Sequence, residues 1–306
     1  MKAALVKGLR SLLFQKPDSV LITGDLGYGA LDSLQQEFPE QFLNLGVCEQ
    51  SIMSIAAGLA STGRQCFVYS IANFPSFRCL EQIRNDIALH ALPVIIISNG
   101  AGFAYGTSGY SHHGVEDLSV VRSIPKIRIA TPCDEVELAA VLDEVASVDG
   151  PSYIRLGSLP PNTIDDSQCT KFENLVRRTH TGSRVSLVGT GFGAHLALQV
   201  AQLLDARHDL KVSSWSVPFC WPLDSSLLRQ WSGEDLIVTI EEQTLAGGFG
   251  SAVWESSRAL GLSPNILPIA LTQEYRMATG SSGYLRSMNG LEPVRIADQI
   301  LAHLDF

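Results

Sequence analysis

The sequence predicts two α/β domains, each built on a largely parallel sheet, with the second smaller than the first. Three observations carry this. Short runs rich in Val and Ile alternate with longer segments of helical period, the pattern of a parallel sheet covered on both faces. The alternation is broken by "GSLPPNTIDDSQCT" at 157–170, whose Gly, Pro and turn formers have the composition of an inter-domain connector. A chain of 306 residues suits about two domains.

In order, strands are expected near 18–24, 42–45, 66–71, 93–98 and 127–130, with helices near 2–15, 48–62, 76–90 and 134–147 between them and a last strand at 152–156. This sets the first domain at 1–157 and the linker at 158–180. A second domain over 181–306 follows, with strands near 184–189, 211–217, 235–241 and 265–270.

Composition excludes several classes of function. Hydrophobic residues make up 45% and charged residues 17%, without repeats or low complexity, as in an ordinary globular chain. The formal charge of −9 and the lack of a basic block argue against nucleic acid. Apolar runs such as "PVIIIS" at 93–98 are too short to span a bilayer, and the amino-terminal segment is interrupted by Lys7 and Arg10, so no membrane span or secretion signal is expected. Six scattered cysteines without a C-x-x-C pair suit a reducing, cytoplasmic setting.

In open parallel sheets the chemistry lies on loops beyond the carboxyl ends of the strands. "GTGFGA" at 189–194 loosely matches a dinucleotide fingerprint, but no acid ends the next strand, so a Gly-rich strand-to-helix turn is the competing reading. His112, His113 and Glu116 are ordinary metal-ligand types. Adjacent histidines rarely reach one ion, however, and one substrate-facing plus one structural histidine is the preferred reading, with no metal ligands assigned. Ser111 lacks the G-x-S-x-G elbow of a serine hydrolase. Glu49 opens a helix of small and aliphatic residues. It is either a first-turn acid facing the helix dipole or, if buried, a carboxyl that shares a proton with a partner base. Phe74 and Phe77, three apart, are either core or the wall of a site for a flat heterocycle.

These motifs occur in a telling order. "FLNLGVCEQSIMSIAAGLASTG", "SFRCLEQIRNDIA", "GYSHHGVEDLSVVRSIPKIRIATPCDEVE", "GPSYIRLG", "PLD" at 222–224 and "EEQTLAGGFGSAVWE" together closely resemble the transketolase family over nearly the whole chain. The resemblance is to the carboxyl-terminal portion alone: a thiamine-diphosphate pyrimidine-binding domain followed by a smaller transketolase C-terminal domain. The family's front domain, whose GDG-to-Asn motif holds magnesium and the diphosphate, has no counterpart here, since "GDL" at 24–26 is not that motif.

The resemblance therefore implies a split transketolase that is active only with a partner. An N-terminal subunit would carry the diphosphate and Mg2+ (or Ca2+) site, and two such pairs would form an α2β2 heterotetramer. By the same register, Glu49 matches the glutamate that hydrogen-bonds the pyrimidine N1′, Phe74 the ring that stacks on the aminopyrimidine, and Ile71 and Phe77 the rest of that pocket. Asp25 falls near the thiazolium and the subunit contact, and His112 matches a histidine that contacts donor-sugar oxygens.

The family positions that bind a distal phosphate are here Lys2, Gly29, Gly100 and Arg155, of which Arg155 alone is retained and Lys2 is a partial substitute. An acidic residue that reads the donor hydroxyl is here Ser108. The implied activity is transfer of a two-carbon ketol unit between sugars or sugar derivatives other than the usual pentose phosphates. Rival readings are the beta subunit of a 2-oxoacid dehydrogenase decarboxylase, a deoxyxylulose-phosphate-synthase-like enzyme, and a catalytically silent regulatory subunit.

Overall fold

The computed structural model describes residues 1–306 apart from 161–163, 165–169, 174, 276 and 305–306. Its strands are β1 (Val20–Thr23), β2 (Phe42–Asn44), β3 (Cys66–Ile71), β4 (Val94–Ala101), β5 (Arg128–Ala130), β6 (Ser152–Gly157), β7 (Thr170–Glu173), β8 (Val176–His180), β9 (Val185–Gly189), β10 (Ser213–Ser216), β11 (Phe219–Trp221), β12 (Leu236–Thr244) and β13 (Ile266–Leu271). They form a seven-stranded sheet, β11-β5-β6-β4-β3-β1-β2, and a six-stranded sheet, β13-β12-β9-β10-β8-β7.

The first six strands pair in parallel. The continuous apolar run of β4 shows why. Ile96 packs into one apolar cluster, while Ile95 and Ile97 pack into a second, so alternate side chains serve opposite covered faces. All three are fully buried, each contributing about 1.5–3 kcal/mol of hydrophobic transfer free energy. A third cluster, including Leu187, Val238 and Leu204, forms the core of the second domain.

Three elements depart from the sequence expectation. The segment expected as a helix at 76–90 is broken into a short helix Asn73–Phe77 containing buried Pro75, a turn at Leu80–Gln82 and a π-helical segment Ile83–Ala88. The strand expected at 211–217 is shorter, and β11 follows it to join the other domain's sheet, antiparallel to β5 through Phe219↔Ala130 and Trp221↔Ile129. The segment 158–180 is not simply a linker: β7 and β8 close one edge of the second sheet, with antiparallel pairing that gives no apolar run to read. Part of that segment, Cys169 included, lies outside the described residues.

The glycines of "GTGFGA" have a packing explanation. A Cβ on Gly193 would lie 2.0 Å from the Ile240 carbonyl oxygen, so the helix Phe192–His208 can approach the sheet only there without a side chain.

Candidate functional site

The carboxyl ends of β1 to β4 deliver the expected loops to one end of the first sheet. β2 ends at Asn44, and five residues later Glu49 begins the helix Glu49–Ser61. No side-chain cap covers that helix start, and its first turn carries the acid. Glu49 is only 8% exposed. Its Oε1 accepts a hydrogen bond from Arg78 Nη1 at 2.8 Å, and Oε2 has no hydrogen-bond partner among the described residues.

β3 ends at Ile71, which is half-buried, and the chain turns into the helix Asn73–Phe77. The Phe74 ring stands edge-on to the His112 ring, with centroids 5.4 Å apart. The Arg78 guanidinium lies over the Phe74 ring, 3.9 Å from its centroid. Glu49, Arg78, Phe74 and His112 are thus one continuous set of contacts drawn from three loops. Phe77 is exposed.

His112 Nδ1 is 2.9 Å from Ser111 Oγ, a bond that holds the imidazole by one nitrogen and leaves Nε2 on the far side of the ring. His113 has the other fate. It is fully buried, edge-on to Phe103, with Nε2 3.4 Å from the Gly106 carbonyl oxygen. Glu116 Oε1 accepts a hydrogen bond from Tyr110 Oη at 3.3 Å. The two histidines face different surroundings, His113 in the packed interior and His112 beside Phe74.

Asp25 follows β1 with a positive φ of 53°, a conformation that a short polar residue tolerates. Asn44 Nδ2 donates to Asp25 Oδ1 at 2.8 Å, the Asp25 backbone N–H donates to Asn44 Oδ1 at 2.9 Å, and Tyr28 Oη donates to Asp25 Oδ1 at 3.2 Å. The ends of β1 and β2 are tied together by this exchange, just before the loop that carries Glu49. The hydrogen bond to Asp25 holds the Tyr28 phenol above its ordinary pKa.

The residues expected to meet a substrate are dispersed. Ser108 is exposed on the turn Gly106–Ser108 that precedes His112. Lys2 is exposed in the first turn of the helix Lys2–Gln15. Arg155 is turned inward and only 3% exposed. Its Nε and Nη2 donate to the two oxygens of Asp117 at 2.7 and 2.8 Å, and Nη2 also reaches the Gly114 carbonyl and Gln243 Oε1, each at 2.8 Å. A guanidinium so engaged is a bolt between domains, and the expectation that it meets a substrate is not what its placement favours.

Sequence reading missed Arg78, Asn44 and the pair Asn99–Tyr105. Asn99 Nδ2 donates to Tyr105 Oη at 2.7 Å, and a Cβ on Gly100 would lie 2.5 Å from the Tyr105 ring. Arg78 follows Phe77 directly, and adjacency to an aromatic motif was its only signal.

Among the described residues, Cys133, Asp134 and Glu137 are the one cluster with metal-ligand spacing. Its cation is already present in the buried Arg177 guanidinium, which pairs with Asp134 and lies 3.6 Å from Glu137. No described helix is long and apolar enough to cross a membrane.

A buried carboxylate with one open oxygen, beside an aromatic face that already accepts a planar N–H-bearing cation, suits a flat nitrogen heterocycle. The fold defines the class: two α/β domains of the kind that make up the pyrimidine-binding and C-terminal portions of transketolases. Residues 1–158 match the family model "Transketolase, pyrimidine binding domain", and 175–296 match "Transketolase, C-terminal domain". The chain belongs to the transketolase family, as its carboxyl-terminal section.

A protein of Methanocaldococcus jannaschii, provisionally described as a transketolase C-terminal section, is 30% identical over 271 residues, 88% of this chain and 84% of that protein. The 1-deoxy-D-xylulose-5-phosphate synthase of Syntrophomonas wolfei is 34% identical over 84% of this chain, which spans only 40% of that enzyme. Among solved structures, a split-gene transketolase described as an inactive beta4 tetramer superposes with a TM-score of 0.86 at 29% identity, covering 97% of this chain and 95% of that one. A Campylobacter jejuni transketolase, 17% identical with a TM-score of 0.74, shares the fold over 98% of this chain and 46% of its own.

Proposed function

We propose that the chain is the C-terminal subunit of a split thiamine-diphosphate-dependent transketolase that transfers a two-carbon ketol unit between sugars or sugar derivatives. The observation that carries the reading is the pairing of buried Glu49, one oxygen open, with the Phe74 face. Thiamine diphosphate supplies the electron sink for carbanion chemistry at a ketose carbonyl.

The chain's residues have separable tasks. Glu49 holds a proton at the pyrimidine N1′ and so sets the protonation of the heterocycle. Phe74 fixes the ring plane, with Ile71 and Phe77 bordering it, and Asp25, held by Asn44, supports the thiazolium side. His112, held through Nδ1 by Ser111, presents Nε2 to donor-sugar oxygens. A partner subunit provides the diphosphate and Mg2+ (or Ca2+) site, and two pairs assemble as α2β2.

Substrates other than the usual pentose phosphates fit the engagement of Arg155 with Asp117 and the Tyr105 ring over Gly100. Lys2 and Ser108 remain exposed candidates for substrate contact. A second reading draws on the synthase relatives, 31% identical over as much as 98% of the chain in Dictyoglomus thermophilum. In that reading the assembled enzyme forms 1-deoxy-D-xylulose 5-phosphate.

The test is reconstitution of this chain with a subunit carrying the diphosphate and magnesium half. Cofactor-dependent ketol transfer that is lost in Glu49→Gln supports the transketolase reading. Formation of 1-deoxy-D-xylulose 5-phosphate supports the second, and cofactor binding without turnover of either kind would leave a silent subunit. Ribose 5-phosphate serving as a good acceptor would sink the substrate assignment.

A further inference from the structure

Arg78 does two things at once. Its Nη1 donates to the buried Glu49 carboxylate at 2.8 Å, and its guanidinium carbon lies over the Phe74 ring, 3.9 Å from the centroid. A planar, delocalised group that gives an N–H to Glu49 while covering Phe74 presents the chemistry of a protonated aminopyrimidine. One face of Phe74 cannot hold two such groups.

We propose that Arg78 is an internal placeholder that caps the pyrimidine pocket, and that an incoming aminopyrimidine must displace it. The proposal rests on the reading of Glu49 and Phe74 as pyrimidine contacts. Two features suit a displaceable side chain. Its backbone is anchored, since Gln50 Nε2 donates to the Arg78 carbonyl at 3.0 Å. Its side chain is 49% exposed, so the guanidinium can swing into water without burying or stranding a charge.

The cap also has a physical reason to exist. Glu49 is nearly buried, and an unpaired carboxylate there would be costly. The guanidinium compensates that charge while the pocket is empty, and the heterocycle does so when bound. The exchange makes ligand affinity the difference between two contacts of one kind. Removing the internal competitor raises affinity by roughly three- to ten-fold, the worth of one half-exposed ion pair plus one cation–π contact.

The experiment is calorimetric titration of the full chain with 4-amino-2,5-dimethylpyrimidine, comparing wild type, Arg78→Ala, Arg78→Lys, Glu49→Gln and Phe74→Ala, each first checked for native circular dichroism. Arg78→Ala should bind tighter than wild type. Arg78→Lys, which keeps the charge and loses the delocalised guanidinium, should fall between them. In wild type the Arg78 Nε–H resonance should move toward its free-arginine position as the probe is added.

Equal or weaker binding by Arg78→Ala overturns the proposal, as does absence of binding to both wild type and Arg78→Ala. The underlying site reading fails separately, if Glu49→Gln and Phe74→Ala bind the probe as well as wild type does.

Discussion

Two polar clusters of this chain use the same residue types to opposite ends. At the ends of the first sheet's strands, Glu49 has one satisfied oxygen, its partner Arg78 is half in water, and His112 is held by a single nitrogen. Between the domains, Asp117 is fully buried with both oxygens bonded by Arg155, which reaches Gln243 as well. Nearby, Arg286 pairs with Glu242, and Arg122 clasps Glu255 through two nitrogens. The open valences of the first cluster leave room for a ligand, and the closed ones of the second fix how two domains sit. Burial of a charged residue is therefore no guide to function until its partners are counted.

The largest test of the contrast is Glu49→Gln. Activity of the assembled enzyme should fall by about 10²–10⁴-fold, the worth of a positioned acid–base group. The melting temperature of the chain should not drop, because the amide still accepts the Arg78 hydrogen bond. A marked loss of stability would make Glu49 part of the frame.

Arg155→Ala should do the reverse. It strands Asp117 without its cation and should cost about 3–5 kcal/mol in urea unfolding. Binding of the pyrimidine probe to the folded fraction should be unchanged. If instead stability held and only the KM for a phosphorylated sugar rose, Arg155 would belong to the first cluster after all.

A smaller effect is expected at Glu241. Burial pushes its carboxyl up to about 7 from an ordinary 4.5, although the Gly250 and Phe249 backbone N–H groups, at 2.8 and 2.6 Å, pull it down. The folded state thus keeps this proton at pH values where the unfolded state has lost it. Its contribution is fully present below about pH 4.5 and is lost as pH rises to about 7. Glu241→Gln should flatten that part of the stability profile, and an unchanged slope would show that the carboxyl is ionised throughout. The least effect is expected of Lys2→Ala, which should raise the KM for a phosphorylated aldose by no more than about five-fold, the worth of one exposed charge pair. A larger rise would bring the exposed Lys2 into the substrate path and widen the first cluster.

The fold class was legible because strand and helix periods are local: the Ile run of β4 and the small-residue helix after Glu49 announce themselves within a dozen residues. The loops carrying Glu49, Phe74 and His112 were legible too, since in a parallel sheet such loops must gather beyond the strands' carboxyl ends, and the order of motifs named the family. What the sequence left open was decided by contacts between distant positions. Arg155 meets Asp117 at a separation of 38 residues and Gln243 at 88, so its inward turn follows from the docking of two domains and from no local pattern. β11 joins a sheet whose other strands all precede it, and β7 and β8 pair antiparallel where only a connector was expected. Arg78 was invisible as a neighbour of Glu49, 29 residues away, until the fold laid its guanidinium on Phe74. Periodicity fixes which face of an element is buried. Which charge meets which is settled by packing, because a polar side chain turns toward whatever partner the assembled fold brings within reach.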